Sequence, residues 1–270
     1  MENYICQTCG VQFDATELPP EICPICSDDR QYVPWDGQKW TTPDTVKRYH
    51  TNQIKKLEKG IYTLQISPGF GIGQRAIFIQ TEKGNILWDC ISLVDETTVE
   101  ILNNLGGIDA IVISHPHFYS AMVEWSKAFN NIPIYLHAKD ADFVMRKSEN
   151  IVFWEGNSLE LWENAKLINT GGHFPGATIL HLFEPEKNTY SLFAGDIINV
   201  ESDVKTVSFM YSFPNHIPLP ASDIKIIKER MEGIPFERIF GAWYKRNIWE
   251  NGRAIFDASI ERYLKIVGSD

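Results

Sequence analysis

The sequence predicts an α/β protein of layered sheets and helices, preceded by a small metal-held segment at the amino terminus. Three observations point there. Four of the five cysteines, Cys6, Cys9, Cys23 and Cys26, crowd into the first tenth of the 270 residues. From Ile61 onward, short β-rich runs broken by glycine give way to alternating strand and helix patterns, the order of a layered α/β architecture. Hydrophobic residues make up 44% of the chain and aromatics 12%, enough at this length to bury a sizeable core.

Residues 1 to 40 hold seven acidic side chains against two basic ones, with Pro19, Pro20, Pro24 and Pro34 and little apolar periodicity. So short a segment lacks the apolar area to offset its ordering entropy, and a bound metal has to supply the difference. Its two Cys-x-x-Cys knuckles, Cys6 to Cys9 and Cys23 to Cys26, lie thirteen residues apart. Each aims two thiolates at one point, and the pair makes a four-sulfur cage for zinc or iron. The composition shift places a domain boundary near residue 45, giving a ribbon over 1–45 and a larger domain over 46–270. Tyr4 to Val33 resembles the short rubredoxin-like domain of rubrerythrins, which implies iron and electron transfer. Ser27, however, stands where rubredoxins have glycine, and the loop between the knuckles is shorter than theirs; a structural zinc ribbon fits as well.

In the larger domain, Ile61 to Ile66, Arg75 to Thr81 and Asn85 to Trp88 read as a meander. A helix over Asp95 to Leu105, a strand over Ile108 to Ile113, a helix over Tyr119 to Phe129 and a strand over Ile132 to Leu136 come next. Lys166 to Asn169, Thr178 to Phe183 and Tyr190 to Phe193 are further strands, and helices are expected at about 221–232 and 253–267.

The net charge of −10 argues against a nucleic-acid surface. No apolar run reaches membrane-spanning length, and the start Met1-Glu2-Asn3 lacks the pattern of a secretory signal, so a cytoplasmic protein without membrane contact is expected. Crowded cysteines in a reducing compartment read as metal ligands, not disulfides.

The chemistry-bearing residues sit at strand ends. His115-Pro-His117 comes after the strand Ile108 to Ile113, Gly171-Gly172-His173 lies in a glycine-rich turn after another, and Ala194-Gly195-Asp196 ends a third. Carboxyl ends of strands are where α/β folds gather their ligands. In these residues the chain resembles the metallo-β-lactamase fold superfamily over about residues 55–270. That resemblance implies a four-layer αββα sandwich and metallohydrolase chemistry. It implies His115, His117 and His173 as ligands of a first metal, Asp196 as the carboxylate that bridges two metals in dinuclear members, and Asp89 as a residue orienting the site. Where the family motif continues with Asp-His this chain has Tyr119-Ser120, and Trp243 falls about where a final histidine belongs. One zinc or iron ion held by the three histidines and Asp196 is therefore expected.

Hydrolysis of a small ester, thioester or lactone is the first functional reading, with Asp196, Tyr119 and His216 as catalytic candidates. A non-haem iron oxidoreductase like the persulfide dioxygenases, which share the fold, is the second. A non-catalytic metal-binding scaffold is the third. The expected partner is a small-molecule substrate, and the ribbon is a candidate surface for homo-oligomer contacts. Gly69 to Gly73 reads as a hairpin turn and not a phosphate loop. His137, His181, His50, Trp154 and Trp162 read as structural, and Cys90 as a buried small side chain.

Overall fold

The amino-terminal segment folds around an antiparallel pairing of Ile5–Cys6 with Trp40–Thr41, and the ring of Phe13 stands edge-on to Trp40 at 4.8 Å. Helix α1 (Pro43–Tyr49) is next, with Thr42 as its N-cap and proline at its first position, the usual chemistry of a helix start. Its one buried side chain, Val46, packs with Ile5 and Leu93, and Ile66 and Phe70 lie against them. The change of sequence character near residue 45 thus falls on a helix that shares a core with the cysteine segment before it and the first sheet after it. The computed structural model describes residues 1–268 and divides into two compact units, Met1–Leu136 with Ala141–Phe153, and His137–Asp140 with the residues from Trp154 on.

The first unit is built on a seven-stranded sheet whose strand order matches the chain: β1 (Thr51–Glu58), β2 (Ile61–Ser67), β3 (Ala76–Ile79), β4 (Ile86–Trp88), β5 (Ala110–Val112), β6 (Ile134–His137) and β7 (Ile151–Trp154). The first four pair antiparallel; β4 with β5 and β5 with β6 pair parallel. Parallel neighbours need a crossover, and helices α2 (Glu96–Asn104) and α3 (Met122–Ala128) supply the two. The second unit carries a six-stranded sheet, again in chain order: β8 (Ser158–Trp162), β9 (Ala165–Asn169), β10 (Thr178–Glu184), β11 (Thr189–Gly195), β12 (Arg238–Gly241) and β13 (Asn247–Ile248). Its one parallel pair is β11 with β12, bridged by α4 (Ala221–Arg230) before α5 (Gly252–Val267) closes the chain. Among the described residues no helix is long and apolar enough to cross a membrane.

The expected meander, strands and helices are present; strands β7, β8, β12 and β13 were not expected, and three further differences stand out. Strand β1 was not expected, because its pattern of lysine, glutamine and glutamate hides a half-exposed edge, where charge is tolerated and guards against further pairing. The loop after Asp196 folds into two small hairpins, Asn199–Val200 with Val207–Ser208 and Met210–Ser212 with Ile217–Pro218. The helix expected from Tyr119 starts only at Met122, after a 3-10 turn over Pro116–Phe118. Ser120 breaks it with a left-handed φ of 41°, and its carbonyl accepts a hydrogen bond from the Gln12 N–H at 3.0 Å instead of one from the next helical turn.

Asp95 starts α2 by accepting from the Thr98 N–H at 2.9 Å and from Asn52 Nδ2 at 2.6 Å, which ties the helix to the edge strand β1. Asp95→Ala is expected to lower unfolding stability by about 1–2 kcal/mol, measured by urea denaturation; an unchanged midpoint would refute the cap's role.

Candidate metal centres

Four thiols meet in the amino-terminal segment. Cys6, Cys9, Cys23 and Cys26 are at most 1% exposed. Cys6 Sγ lies 3.5 Å from Cys26 Sγ, and Cys9 Sγ lies 3.7 Å from Cys23 Sγ. A disulfide requires about 2.05 Å, whereas sulfurs at the corners of a tetrahedron around a metal about 2.3 Å away stand roughly 3.8 Å apart. The spacing therefore fits a shared ion and excludes bridged pairs. Gly10 turns the first knuckle with φ of +80° and brings its N–H to the Cys6 carbonyl at 2.8 Å; a Cβ there would lie 2.5 Å from Ser92 Oγ. Gln38 Nε2 donates to Cys6 Sγ at 3.2 Å, which favours a thiolate.

The thiols also act on one another. Hydrogen bonds from Cys23 and Cys26 hold the Cys6 thiol far below its ordinary range. Burial pushes the Cys9 thiol up, and the Cys23 contact does the same to Cys26. Four buried sulfurs in contact cannot all carry negative charge unless a cation sits among them.

His115 and His117 follow β5, whose parallel pairing with β4 brings its end beside Asp89. At the end of β4, Asp89 takes a left-handed φ of 58°. Its N–H donates to the Val112 carbonyl at 2.9 Å and its Oδ1 accepts the Ser114 N–H at 2.8 Å, so one buried carboxyl laces the ends of β4 and β5 together. Burial raises this carboxyl from its ordinary value to about 7, against the lowering effects of the Ser114 bonds and the Arg75 guanidinium. His115 comes directly after Ser114, its Nδ1 at 3.0 Å from Ser114 Oγ, which makes Nε2 the nitrogen for a metal. The His115 and His117 rings meet edge-on at 5.2 Å, and both are buried.

In the second unit the loop after β9 carries His173, fully buried. Its Nδ1–H donates to the Met210 carbonyl at 2.9 Å, which fixes the tautomer and leaves the lone pair on Nε2. Nε2 lies 4.0 Å from Oδ1 of Asp196, the residue that ends β11. Ligand atoms about 2.1 Å from one tetrahedral metal would stand roughly 3.4 Å apart, and Asp196 lies near that spacing from His173. The ring nitrogens of His115, His117 and His173 form, besides the four thiols, the other group among the described residues that could hold a metal ion, and Asp196 is not a member of it.

Tyr119 is buried and precedes the left-handed Ser120, whose hydroxyl accepts from Gln74 Nε2 at 2.8 Å. Trp243 lies just past the end of β12, and the Ala242 N–H donates to the Gly195 carbonyl at 2.7 Å, which anchors that turn beside the residue preceding Asp196. His216 is exposed at the tip of the second small hairpin, with φ of 55°. From the same hairpin Phe213 reaches the His173 ring at 5.8 Å. Met210, Phe213 and Ser114 carry no signal in the sequence, because a carbonyl, an edge-on ring and a serine beside a histidine acquire their roles only from the fold.

His137, His181 and Trp154 are engaged in backbone bonds and ring packing. His137 accepts the Lys139 N–H at Nδ1 and donates from Nε2 to the Gly156 carbonyl at 3.0 Å, and burial lowers its pKa. His181 bonds the Pro235 carbonyl at 2.8 Å and stacks on Tyr190. Trp154 is buried against the His137 ring. Cys90 is fully buried, which pushes its thiol up and leaves it inert. Gly69 to Gly73 joins the antiparallel strands β2 and β3 as a turn.

The chain belongs to the metallo-beta-lactamase superfamily, whose model matches residues 70–262. It is 43% identical to the uncharacterized protein YmaE of Bacillus subtilis (strain 168), over the whole of this chain and 98% of that one. Among solved structures, the DIM-1 metallo-beta-lactamase aligns with a TM-score of 0.57 and 16% identity, covering 78% of this chain and 95% of its own. The metallo-beta-lactamase FIM-1 from Pseudomonas aeruginosa, in a mono-zinc form, aligns with a TM-score of 0.56 and 14% identity over 81% and 97%. These likenesses establish the fold expected from the sequence.

The geometry of the centres gives two expected outcomes. Replacing Cys9 and Cys26 by serine is expected to remove one metal equivalent and expose residues 1–40 to protease; unchanged metal content by mass spectrometry would refute the cage. Asp89 binds its proton more tightly folded than unfolded, so its contribution to stability is complete below the ordinary value of 3.8 and is lost as pH rises through about 7. Asp89→Asn keeps an acceptor for the Ser114 N–H. It is expected to remove a fall of at most about 1.4 kcal/mol per pH unit between those values, read by denaturation of both proteins at several pH values. An identical pH profile in the variant would refute it.

Proposed function

We propose that the protein is a metal-dependent hydrolase acting at a single ion, held by His115, His117 and His173 with Asp196 beside them, on a small ester, thioester or lactone. The observation that supports this reading best is the donor set. Three imidazoles form a group that could hold a metal ion, and no further group of histidine, cysteine or carboxylate ligands accompanies it among the described residues apart from the four thiols. Tyr119, Ser120 and Trp243 stand where the family motif supplies second-metal ligands. The fold itself accepts one ion, as the mono-zinc form of FIM-1 illustrates. A zinc ion at this position would polarise a scissile carbonyl and bring the pKa of a bound water toward about 7.

The chain's own residues do the rest. The Met210 carbonyl keeps His173 in the tautomer that presents Nε2. Asp89, through the Ser114 N–H, holds the strand end from which His115 projects. Asp196, beside His173, is assigned to accept the proton of the attacking water. Tyr119 is assigned to donate a hydrogen bond to the substrate. His216, exposed on the hairpin that carries Phe213 to His173, is assigned to meet the outer part of the substrate.

His173→Ala is expected to lose the histidine-bound ion, keep the cysteine-bound one, and lower turnover of a panel of esters, thioesters and lactones by at least about 100-fold. Full activity in that variant would refute the reading, and iron in place of zinc at the histidines would turn it toward oxygen chemistry. Anomalous scattering from zinc-soaked crystals is expected to give one peak at the histidines. A second within about 4 Å, the spacing of two-metal sites, would overturn the single-ion mechanism. The triple variant Tyr119→Asp, Ser120→His and Trp243→His is expected to create that second peak.

A further inference from the structure

His173 sits on the loop that joins β9 to β10, residues 170–177, and this loop has little means of shaping itself. Gly171 and Gly172 stand directly before the histidine with left-handed φ of 66° and 82°. Glycine visits that conformation among many others, so fixing it costs much backbone entropy. A loop of this kind has to be held by groups outside it. The geometry points to Asp140 as the residue that positions His173, a role that rests on the single-ion reading above.

Asp140 belongs to the turn that comes after β6. His137–Asp140 is the one stretch before Trp154 that belongs to the second unit, and its side chains are bonded there. His137 reaches the Gly156 carbonyl, and Lys139 Nζ reaches Asn169 Oδ1 at 3.5 Å. Asp140 Oδ1 accepts the Gly176 N–H at 2.8 Å, across 36 positions of chain. Only 1% of Asp140 is exposed, so this bond to a carboxylate is shielded from water and is of the stronger, charge-assisted kind. Gly176 is matched to it. A Cβ there would lie 2.6 Å from Asp140 Cγ and Oδ2, so the carboxylate rests against the loop backbone at a distance that any larger residue would prevent.

The hold on Gly176 is passed to His173 through a short, stiff path. The Ala177 N–H bonds the Phe174 carbonyl at 3.0 Å, which closes a turn from Phe174, the neighbour of His173, to the residue after Gly176. Pro175 inside that turn has its φ fixed by its ring, and its carbonyl accepts from Asn169 Nδ2 at 3.1 Å. Moving Gly176 therefore moves the backbone of His173, whose Nδ1–H must still meet the Met210 carbonyl at 2.9 Å. With the loop fixed at Gly176 and the ring fixed at Met210, Nε2 is aimed before any ion arrives, and a ligand already in place gives up little freedom on binding.

Four variants of the full-length protein test this role: Asp140→Ala, Asp140→Asn, Gly176→Ala and, as a control, Asp95→Ala at the distant cap of α2. Two measurements are made with metal in the cysteine cage. One is the His173 Nδ1–H proton resonance before zinc is added to the histidines; the other is the zinc affinity of the histidines, by competition with a chelator. Asp140→Ala and Gly176→Ala are each expected to shift or broaden the resonance and to weaken zinc by at least about tenfold, the usual loss when an outer partner of a ligand is removed. Asp140→Asn retains an acceptor for the Gly176 N–H and is expected to keep the resonance and most of the affinity. Asp95→Ala is expected to lower stability and leave both measurements unchanged, which separates positioning from general loosening.

A wild-type resonance and affinity in Asp140→Ala would overturn the role of Asp140, and so would equal losses in Asp95→Ala. Should Asp140→Ala not fold, Gly176→Ala decides by the same two measurements. Absence of zinc uptake by the histidines of the unaltered protein would instead refute the single-ion reading, while the resonance recorded without zinc still judges Asp140.

Discussion

One backbone hydrogen bond, from the Gln12 N–H to the Ser120 carbonyl at 3.0 Å, joins the two chemically distinct parts of the first unit. Buried backbone groups must find partners, and this pair finds each other across 108 positions of chain. On one side the knuckle of Cys6 and Cys9 delivers Gln12 in a fixed place. On the other, Ser120 can offer its carbonyl only by leaving the helical conformation, and its φ of 41° is that departure. The late start of α3 goes with this contact, and the Ser92–Gly10 bond and the packing of Ile5 on Val46 and Leu93 add to it in tying the cysteine segment to the first unit.

The buried polar side chains around that contact are held in place by dense bonding. Asp89 spends its carboxyl on the Ser114 N–H and its own N–H on the Val112 carbonyl. Gln74 divides its amide between the Ser120 hydroxyl and the Cys90 carbonyl. Ser92 spends its hydroxyl on Gly10, at the point where Gly71 comes so near that a Cβ on it would lie 3.2 Å from the Gly10 backbone. Such a network leaves the histidine-bearing turn little freedom, because each buried group that lost its partner would forfeit about 1–3 kcal/mol. Rigidity of that kind is what a metal site needs from its surroundings.

The cysteine cage and the strand-end histidines were legible in the sequence because their chemistry is carried by residue type and spacing. Cys-x-x-Cys geometry is local, and His115, His117, His173 and Asp196 each come after an apolar strand whose period is visible. The features that escaped depend on partners distant in sequence. Strand β1 reads as polar because half of it faces out at an edge, the Met210 carbonyl is any carbonyl until His173 arrives beside it, and Ser120 continues a helical pattern that a bond from Gln12 interrupts. Periodicity reports which face is buried; it does not report which backbone group is already engaged.

Ser120 also connects the two departures of this chain from its family. The family motif gives that position to a histidine that binds a second metal, and here the position is occupied twice over by other work. Its hydroxyl receives Gln74 and its carbonyl receives Gln12. A metal ligand would have to turn its side chain away from Gln74 and stay clear of the segment that Gln12 brings in. The turn that carries Ser120 is thus bonded to the amino-terminal segment through its backbone and to Gln74 through its side chain. A histidine at this position would keep the carbonyl that Gln12 uses, so the backbone decides the docking of the amino-terminal segment while the side chain alone decides whether the turn offers a ligand.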